Sequence, residues 1–335
     1  MTPRWPSRVI ALAMVAVAGG AVALSHVAGA RSAHRLFRES RQAASELSFT
    51  ADATVGALVG GRWIEQPVHI QHAAGRMRMT VGEGPKAQVL LGDGRCLCEA
   101  TNGIATPVGE APAPEASDLS LLDGNYDVQP IGVRTIAGRA AHGIALRSRH
   151  LGHEARRLWV DPETKIVVAE EGLSCDGLLL TRTVFGHLYL GPSAARGDRD
   201  LPECRSAAPI DAAQPVTDDE CRESCGFAPR LPAHVPPGYI QSGLYVRQCR
   251  GGRKFAEVRY TDGLTTLSVF ENMRRGRGFR YGGGRGGGGG GWGWQQALIP
   301  QGAAKVVRER RADLDVLVAG DLPQQLLSQV LSSVP

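Results

Sequence analysis

The sequence predicts an α+β chain, in which an antiparallel half-barrel with packed helices is followed by a smaller mixed α/β domain. Three observations predict it. Apolar residues alternate with polar ones through residues 126–191, the pattern of a half-buried antiparallel meander. A helical pattern precedes the first strands. From residue 191 the composition shifts to Pro, Asp, Arg and Ala, before strand patterns resume near residue 240.

The chain begins with the pattern of an export signal. Arg4 and Arg8 precede an uncharged apolar run from Val9 to Leu24, and Ala28-Gly-Ala30 supplies the small residues of a cleavage site. The run is about 16 residues long, which is shorter than the roughly 20 needed to span a bilayer. A cleaved signal over residues 1–30 and an exported mature chain are therefore predicted, with an uncleaved membrane anchor as the alternative.

Residues 31–190 are predicted to form the larger domain. Apolar residues at helical spacing predict a helix from Ser32 to Leu47 that packs on the following sheet. The stretch 102–120 is rich in Ala, Pro and Glu and is predicted to be a mobile excursion between strands. Strand patterns cover residues 49–58, 64–72, 76–81, 87–91 and, after the excursion, 126–190.

The clearest hairpin in this domain joins Leu158-Trp-Val160 to Ile166-Val-Val168. Between them, Asp161-Pro-Glu-Thr-Lys165 places Pro at the second position of a turn and short polar residues around it. Asp161 is therefore predicted to cap the turn rather than to act as a general acid.

Residues 191–228 are predicted to be a cysteine-containing linker and residues 229–335 the smaller domain. A helix from Pro323 to about Leu331 closes this domain, with Pro323 as its first residue. The strand patterns before that helix cover residues 240–248, 255–260, 265–271, 303–308 and 314–319.

A tract of Gly and Arg at residues 274–294 interrupts the smaller domain and ends in Trp292-Gly-Trp294. Such a composition predicts a flexible, solvated loop. Arginine and aromatic residues within glycine also occur in RNA-binding segments. For an exported chain, a contact with anionic lipid or an acidic partner is the better alternative. The net charge of +5 falls to +3 once Arg4 and Arg8 leave with the signal, and such a small excess does not indicate nucleic-acid binding.

Seven cysteines in an exported chain predict disulfides with one thiol left over. Their spacing puts Cys96 and Cys98 on the same side of a strand, and Cys221 and Cys225 one helical turn apart, so each pair is a candidate disulfide. A zinc site using Cys221, Cys225 and Cys249 is the alternative. No nearby histidine pair or second Cys-x-x-Cys completes such a site. The connectivity stays open.

The sequence lacks the common catalytic signatures. It has no Gly-x-Ser-x-Gly, no His-Glu-x-x-His and no phosphate-binding loop ahead of Lys-Ser/Thr. His69 and His72 lie on a strand pattern, where a three-residue offset directs their rings to opposite faces. His150 and His153 lie in a predicted turn, where metal binding is the alternative to a solvated loop. The prediction is a non-enzyme with no catalytic residues, no metal and no cofactor.

Two blocks of motifs resemble the RseB/MucB-type periplasmic sigma-factor regulators. The first consists of Ala137-Gly-Arg139, Leu158-Trp-Val-Asp161 and Thr181-Arg-Thr-Val-Phe185. The second follows in the family's order as Leu231-Pro, Pro236-Pro-Gly-Tyr239, Tyr260-Thr-Asp-Gly-Leu264, Leu267-Ser-Val-Phe270 and Ala319-Gly-Asp-Leu-Pro323. The resemblance covers roughly residues 32–333, although the strands around residues 76–98 match the family poorly.

This resemblance implies a lipoprotein-carrier-like larger domain over an apolar cavity, with a smaller domain beside it. It also implies a periplasmic protein that binds the periplasmic part of a membrane anti-sigma factor and releases it when lipid or lipopolysaccharide signals envelope stress. The anti-sigma contact would use mainly the smaller domain and the groove between domains, with no individual residue assigned. A periplasmic lipid or lipoprotein carrier is the alternative, and an exported hydrolase is a third class. The oligomeric state is not predicted.

Overall fold

The computed structural model describes residues 29–73, 76–84, 87–92, 96–101, 104–110, 116–191, 215–248, 254–273, 305–311 and 313–335. Nearly all of the predicted signal and the whole Gly/Arg tract lie outside these ranges. Two compact units are present, the first formed by residues 1–116 with 125–212 and the second by residues 117–124 with 213–335. No helix in the described ranges combines the length and hydropathy needed to cross a membrane.

The first unit opens with helix α1 (Gly29–Glu46), which confirms the helix predicted from apolar spacing. Leu36 and Phe37 on one face of this helix are buried. On the exposed face, Arg35 and Glu39 form an ion pair across one helical turn at 2.5 Å. The helix lies against strand β7 (Tyr126–Ile136).

Among the described residues of this unit, eleven antiparallel strands form one sheet, in the spatial order β6-β5-β4-β3-β2-β1-β11-β10-β9-β8-β7. Each pair of neighbours in this order is antiparallel, as a meander requires. The remaining strands are β1 (Phe49–Val59), β2 (Arg62–Ala73), β3 (Arg76–Val81), β4 (Gln88–Gly92), β5 (Cys96–Thr101), β6 (Ile104–Glu110), β8 (Arg139–Ser148), β9 (Glu154–Val160), β10 (Val167–Leu173) and β11 (Leu179–Leu190).

The sheet curls strongly between β11 and β7. These strands are four positions apart in the sheet, a separation of roughly 19 Å if the sheet were flat. They nevertheless approach each other closely enough for direct contact. The antiparallel α+β fold with a curved large sheet is therefore confirmed.

The apolar face of this sheet is already buried. Side chains from β1 to β4 and from β8 to β11 form one core. Ile166, in the connection between β9 and β10, also belongs to it. Its largest members, none more than 2 % exposed, are Phe49, Ile70, Met79, Leu90, Trp159 and Phe185. Aromatic residues are few, so aliphatic side chains complete the core, as the composition predicts.

The prediction of a mobile excursion over residues 102–120 is wrong for much of that stretch. Strand β6 pairs with β5, with Ala105 opposite Ala100. Pro107 is tolerated because β6 is an edge strand and the β5–β6 register shifts near that position. Helix α2 (Ala116–Asn125) follows and buries Leu122. The composition, rich in Ala, Pro and Glu, did not indicate either β6 or α2.

The second unit contains a five-stranded antiparallel sheet in the order β12-β13-β14-β16-β15. Helix α3 (Asp218–Cys225), within the segment predicted as a linker, contacts β12 and β13. The strands are β12 (Ile240–Gln248), β13 (Lys254–Thr261), β14 (Thr266–Met273), β15 (Lys305–Arg310) and β16 (Leu314–Gly320).

Helix α4 (Gln324–Ser333) ends the chain and packs on β15 and β16. Leu327, Val330 and Leu331 form its buried face, as their helical spacing predicts. Pro323 is the N-cap residue rather than the first helical residue, because its ψ of 135° is extended. All five predicted strands and the closing helix of the smaller domain are present.

Candidate functional site

Two of the three motifs in the first block meet at one turn of the large sheet. Ala137 and Gly138, with φ of 51° and 73°, turn the chain between β7 and β8 and place Arg139 at the start of β8. Arg139 Nη1 donates to Asp161 Oδ2 at 2.8 Å. Asp161 also accepts from Thr164 Oγ1 at 2.6 Å and from the backbone N–H of Glu163 at 3.3 Å. The capping role predicted for Asp161 is confirmed, and it extends to a second hairpin through Arg139.

Removal of the Arg139 guanidinium is expected to destabilise the larger unit. The side chain of Asp161 is 2 % exposed, so its carboxylate depends on donors from the protein, of which Arg139 is one. Arg139→Ala should lower the free energy of unfolding by about 1.5–3 kcal/mol. Arg149→Ala is the matched control, because Arg149 pairs with Asp127 where both side chains are about half exposed, and it should cost under about 1 kcal/mol. Urea titrations monitored by tryptophan fluorescence measure the free energy of unfolding of each variant. Equal losses in Arg139→Ala and Arg149→Ala would contradict this account.

Two motifs of the second block meet at the turn between β13 and β14. Asp262 Oδ1 accepts from the backbone N–H groups of Leu264 and Thr265, at 2.9 and 2.7 Å. The hydroxyl of Tyr239, from the Pro-Pro-Gly-Tyr motif, hydrogen-bonds the Thr265 hydroxyl. Burial raises the pKa of Tyr239, so the phenol stays protonated and available as a hydrogen-bonding group. These motif residues therefore hold the fold of the second unit rather than form a reaction site.

A buried charge network crosses three strands of the second unit. Arg247 Nε on β12 donates to Glu257 Oε2 on β13 at 2.6 Å, and Ser268 Oγ on β14 donates to Glu257 Oε1 at 2.8 Å. Arg259 adds a longer bond of 3.2 Å, and both guanidinium groups lie over the ring of Tyr245. Burial alone would raise the pKa of Glu257, but Arg259, Arg247 and Ser268 outweigh it and lower that pKa. Glu257 is therefore a structural anion.

A second buried carboxylate, Glu271 on β14, has a different environment. Both of its oxygens accept from the backbone N–H of Arg230, at 3.0 and 3.1 Å. Burial raises the pKa of Glu271 to about 7, and this hydrogen bond and the Arg230 and Arg311 charges only partly oppose the rise. The pKa of Glu271 therefore lies close to neutral pH.

The sequence reasoning missed Arg247, Glu257 and Glu271. A signal was present, since Glu257 and Glu271 each interrupt an apolar strand pattern at a position that faces buried neighbours. Charged residues in such positions are rare unless they are paired.

An open groove of about 630 Å³ lies beside helix α4 in the second unit. Its wall is fixed by reciprocal bonds between the chain before β12 and the end of the helix, where the N–H of His234 donates to Ser333 Oγ at 3.1 Å and Ser333 Oγ donates to the carbonyl of His234 at 3.2 Å. The groove is lined by His234, Gln325, Ser328, Gln329, Ser332 and Ser333, whose carbon atoms supply most of the surface and whose polar groups supply the rest. The groove can exchange hydrogen bonds with a polar chain.

The close histidine pairs are engaged in structural contacts. His69 is exposed and its Nδ1 lies 2.7 Å from Asp52 Oδ1, whereas His72 is buried and stacks on Phe49 with ring centroids 5.1 Å apart. The prediction that these rings face opposite sides of the strand is confirmed. His150 Nε2 lies 3.0 Å from Asn125 Oδ1. Within the described ranges, no group of three or more His, Cys, Asp or Glu side chains is placed to hold a metal ion.

The candidate disulfide cysteines lie in different settings. Cys98 on β5 is buried and disulfide-bonded, while Cys221 and Cys225 on α3 carry free thiols. Cys175, in the turn after β10, is likewise not disulfide-bonded. Pairings between Cys96 and Cys98 and between Cys221 and Cys225 stay predictions.

Comparison with known proteins finds a likeness within the larger unit. A family model described as the MucB/RseB N-terminal domain matches residues 65–207. Residues 65–207 are therefore similar to that domain. The first block of motifs lies inside this match, and the second block lies beyond its end.

Individual proteins show the same likeness. The sigma factor AlgU regulatory protein MucB from Pseudomonas aeruginosa is 26% identical over 199 residues, which are 58% of this chain and 60% of the relative. The aligned region thus spans under two thirds of that MucB. The crystal structure of MucB in complex with MucA(peri) has a TM-score of 0.57 at 22% identity and covers 87% of this chain and 94% of that one. The complex structure of P. aeruginosa MucA/MucB has a TM-score of 0.58 at 22% identity, covering 86% and 93%. The MucB fold therefore extends over both units.

Proposed function

We propose that this protein is a periplasmic regulator that binds the periplasmic part of a membrane anti-sigma factor. The observation that carries the proposal is the match of residues 65–207 to the MucB/RseB N-terminal domain, together with a fold similar to that of MucB across most of the chain. The relatives of this fold include MucB in complex with MucA. The leader pattern at residues 1–30 supports export.

Binding rather than catalysis fits the chemistry of the described residues. The buried polar side chains at the motif sites are paired in turns and ion pairs, as with Asp161 and Glu257. Such pairing stabilises the fold and leaves no nucleophile with an adjacent general base at these sites. The protein is therefore proposed to act by holding a partner.

The groove beside α4 is the proposed contact for a polar segment of the anti-sigma factor. Gln329→Tyr should narrow this groove and lower affinity about tenfold, or about 1.4 kcal/mol. Gln324→Tyr is the matched control, since Gln324 is exposed on the same helix but does not line the groove. Isothermal titration of each variant with the anti-sigma segment tests this contact, and equal affinities would place the contact elsewhere.

Release by a lipid-type signal is the second part of the proposal. The apolar face of the large sheet is the surface that an acyl chain would favour, because it offers continuous aliphatic and aromatic side chains. These side chains are buried in the described structure, so a lipid has to displace the protein that covers them. That displacement is the proposed link between lipid binding and partner release.

A pull-down from an envelope extract tests the function. The mature chain, immobilised through a C-terminal tag, should recover a single-span membrane protein whose exposed segment is periplasmic, and addition of anionic lipid should elute it. Recovery of lipid alone would contradict the regulator and favour a periplasmic lipid or lipoprotein carrier.

A further inference from the structure

The free thiols of Cys221 and Cys225 form a contact pair on helix α3. The helix is well defined at both ends, because Thr217 and Glu220 form a capping box at its start and Gly226 adopts a left-handed φ of 83° after its end. Cysteines four residues apart in such a helix have Cα atoms about 6 Å apart. That separation lies inside the 4.4–6.8 Å range observed for disulfides. The two sulfurs can therefore bond after small local movements.

The two thiols differ in access and in acidity. Cys221 is fully buried, whereas Cys225 is partly exposed. A hydrogen bond from the Cys221 thiol and the charge of Lys254 lower the pKa of Cys225, while the interaction with Cys225 and burial raise the pKa of Cys221. A partly exposed and more acidic thiol beside a buried thiol is the arrangement of an attacking and a resolving cysteine.

We propose that Cys221 and Cys225 form a reversible dithiol–disulfide site for small or protein disulfide oxidants, in which Cys225 reacts first. The Cys225 thiolate attacks one sulfur of the oxidant RSSR, forming a mixed disulfide and releasing RS⁻, which takes up a proton. The Cys221 thiol then loses its proton and attacks the Cys225 sulfur, which closes the internal disulfide and releases the second RS⁻. Two thiols of the protein are oxidised and one RSSR is reduced to two RSH.

The position of the pair links its oxidation to the core of the second unit. Cys221 lies close enough to Glu271 for their charges to interact. Glu271 in turn holds the backbone of Arg230, five residues after Cys225. Closure of the disulfide tightens the last turn of α3 immediately before that segment. This inference concerns the α3 thiols themselves and does not depend on the proposed anti-sigma function.

Tryptic mapping without reductant tests the site directly. Arg222 lies between the two cysteines, so trypsin separates them into two peptides unless a disulfide joins them. After reduction of the full mature chain and exposure to oxidised glutathione, the joined 221–225 peptide pair should account for most of the signal and should disappear with dithiothreitol. Absence of the joined peptides while Cys175 becomes glutathionylated would overturn the proposal, as would joining of either cysteine to a different one.

Substitution of the buried cysteine tests the order of attack. Cys221→Ser should trap glutathione on Cys225 as a stable mixed disulfide, whereas the wild type should retain at least tenfold less of that adduct. Cys221→Ala provides the same test if serine at this buried position impairs folding. Equal adduct on the wild type and on the folded variant would show that Cys221 does not resolve it. Cys175, beside the Asp176 carboxylate at 3.8 Å, is the internal reference for a thiol in a less favourable setting.

Discussion

Glu257→Ala is expected to destabilise the second unit by roughly 3–5 kcal/mol, the largest effect of any single substitution considered for this chain. The side chains of Glu257 and Arg247 are 5 % and 7 % exposed. Without the Glu257 carboxylate, the buried guanidinium of Arg247 loses the anion to which it donates. The Ser268 hydroxyl loses its acceptor as well. Urea unfolding, monitored by hydrogen exchange of the β13 and β14 amides, measures the loss of unfolding free energy.

Two further variants separate this cause from a general sensitivity of the sheet. Glu309→Ala on β15 removes a half-exposed glutamate paired with Arg311 and should cost under about 1 kcal/mol. The double variant Arg247→Met with Glu257→Leu replaces the ion pair with apolar groups and should recover most of the lost stability. A double variant as unstable as Glu257→Ala would contradict the assignment of the loss to an uncompensated charge.

The stability of the second unit is expected to fall as the pH rises from about 4.5 to about 7. The folded protein holds a proton on Glu271 up to a pKa of about 7, whereas the unfolded chain releases it near 4.5. In that window the folded state binds more protons, so the free energy of unfolding decreases with pH. The full pKa shift of Glu271 corresponds to about 3 kcal/mol of unfolding free energy. This stabilisation is fully present below the pKa of the unfolded chain and is lost above the pKa of the folded protein.

Glu271→Gln should remove this dependence, because the neutral amide mimics the protonated acid. At pH 8 the variant should be more stable than the wild type, and at pH 4 the two should be similar. Glu223→Gln is the matched control, since Glu223 is exposed on α3 and should leave the pH profile unchanged. Hydrogen exchange of β14 amides at a series of pH values provides the measurement. A variant that keeps the wild-type slope would assign the titration to another group.

Much of the fold could be predicted because its periodicities are local. The apolar spacing of α1 and α4 and the alternation along β7 to β11 each follow from which face is buried. The capping role of Asp161 was also predictable, because a Pro-containing turn with short polar residues is specified by adjacent positions.

The features that the sequence did not reveal depend on contacts between distant positions. Strand β6 forms because β5 offers a free edge, although its own composition resembles a linker. The pairs of Arg139 with Asp161 and of Arg247 with Glu257 join residues 22 and 10 positions apart, and only strand register brings them together. The buried state of Glu271 likewise depends on Arg230, 41 residues away.

The most direct test of the proposed function is a titration of the full mature chain with the purified periplasmic segment of the single-span protein that the pull-down recovers. We expect saturable binding with a dissociation constant in the micromolar range or tighter, which corresponds to a binding free energy of about −8 kcal/mol or a more favourable one. Addition of anionic lipid should lower this affinity. Absence of binding at the highest soluble concentration of the segment would contradict the account.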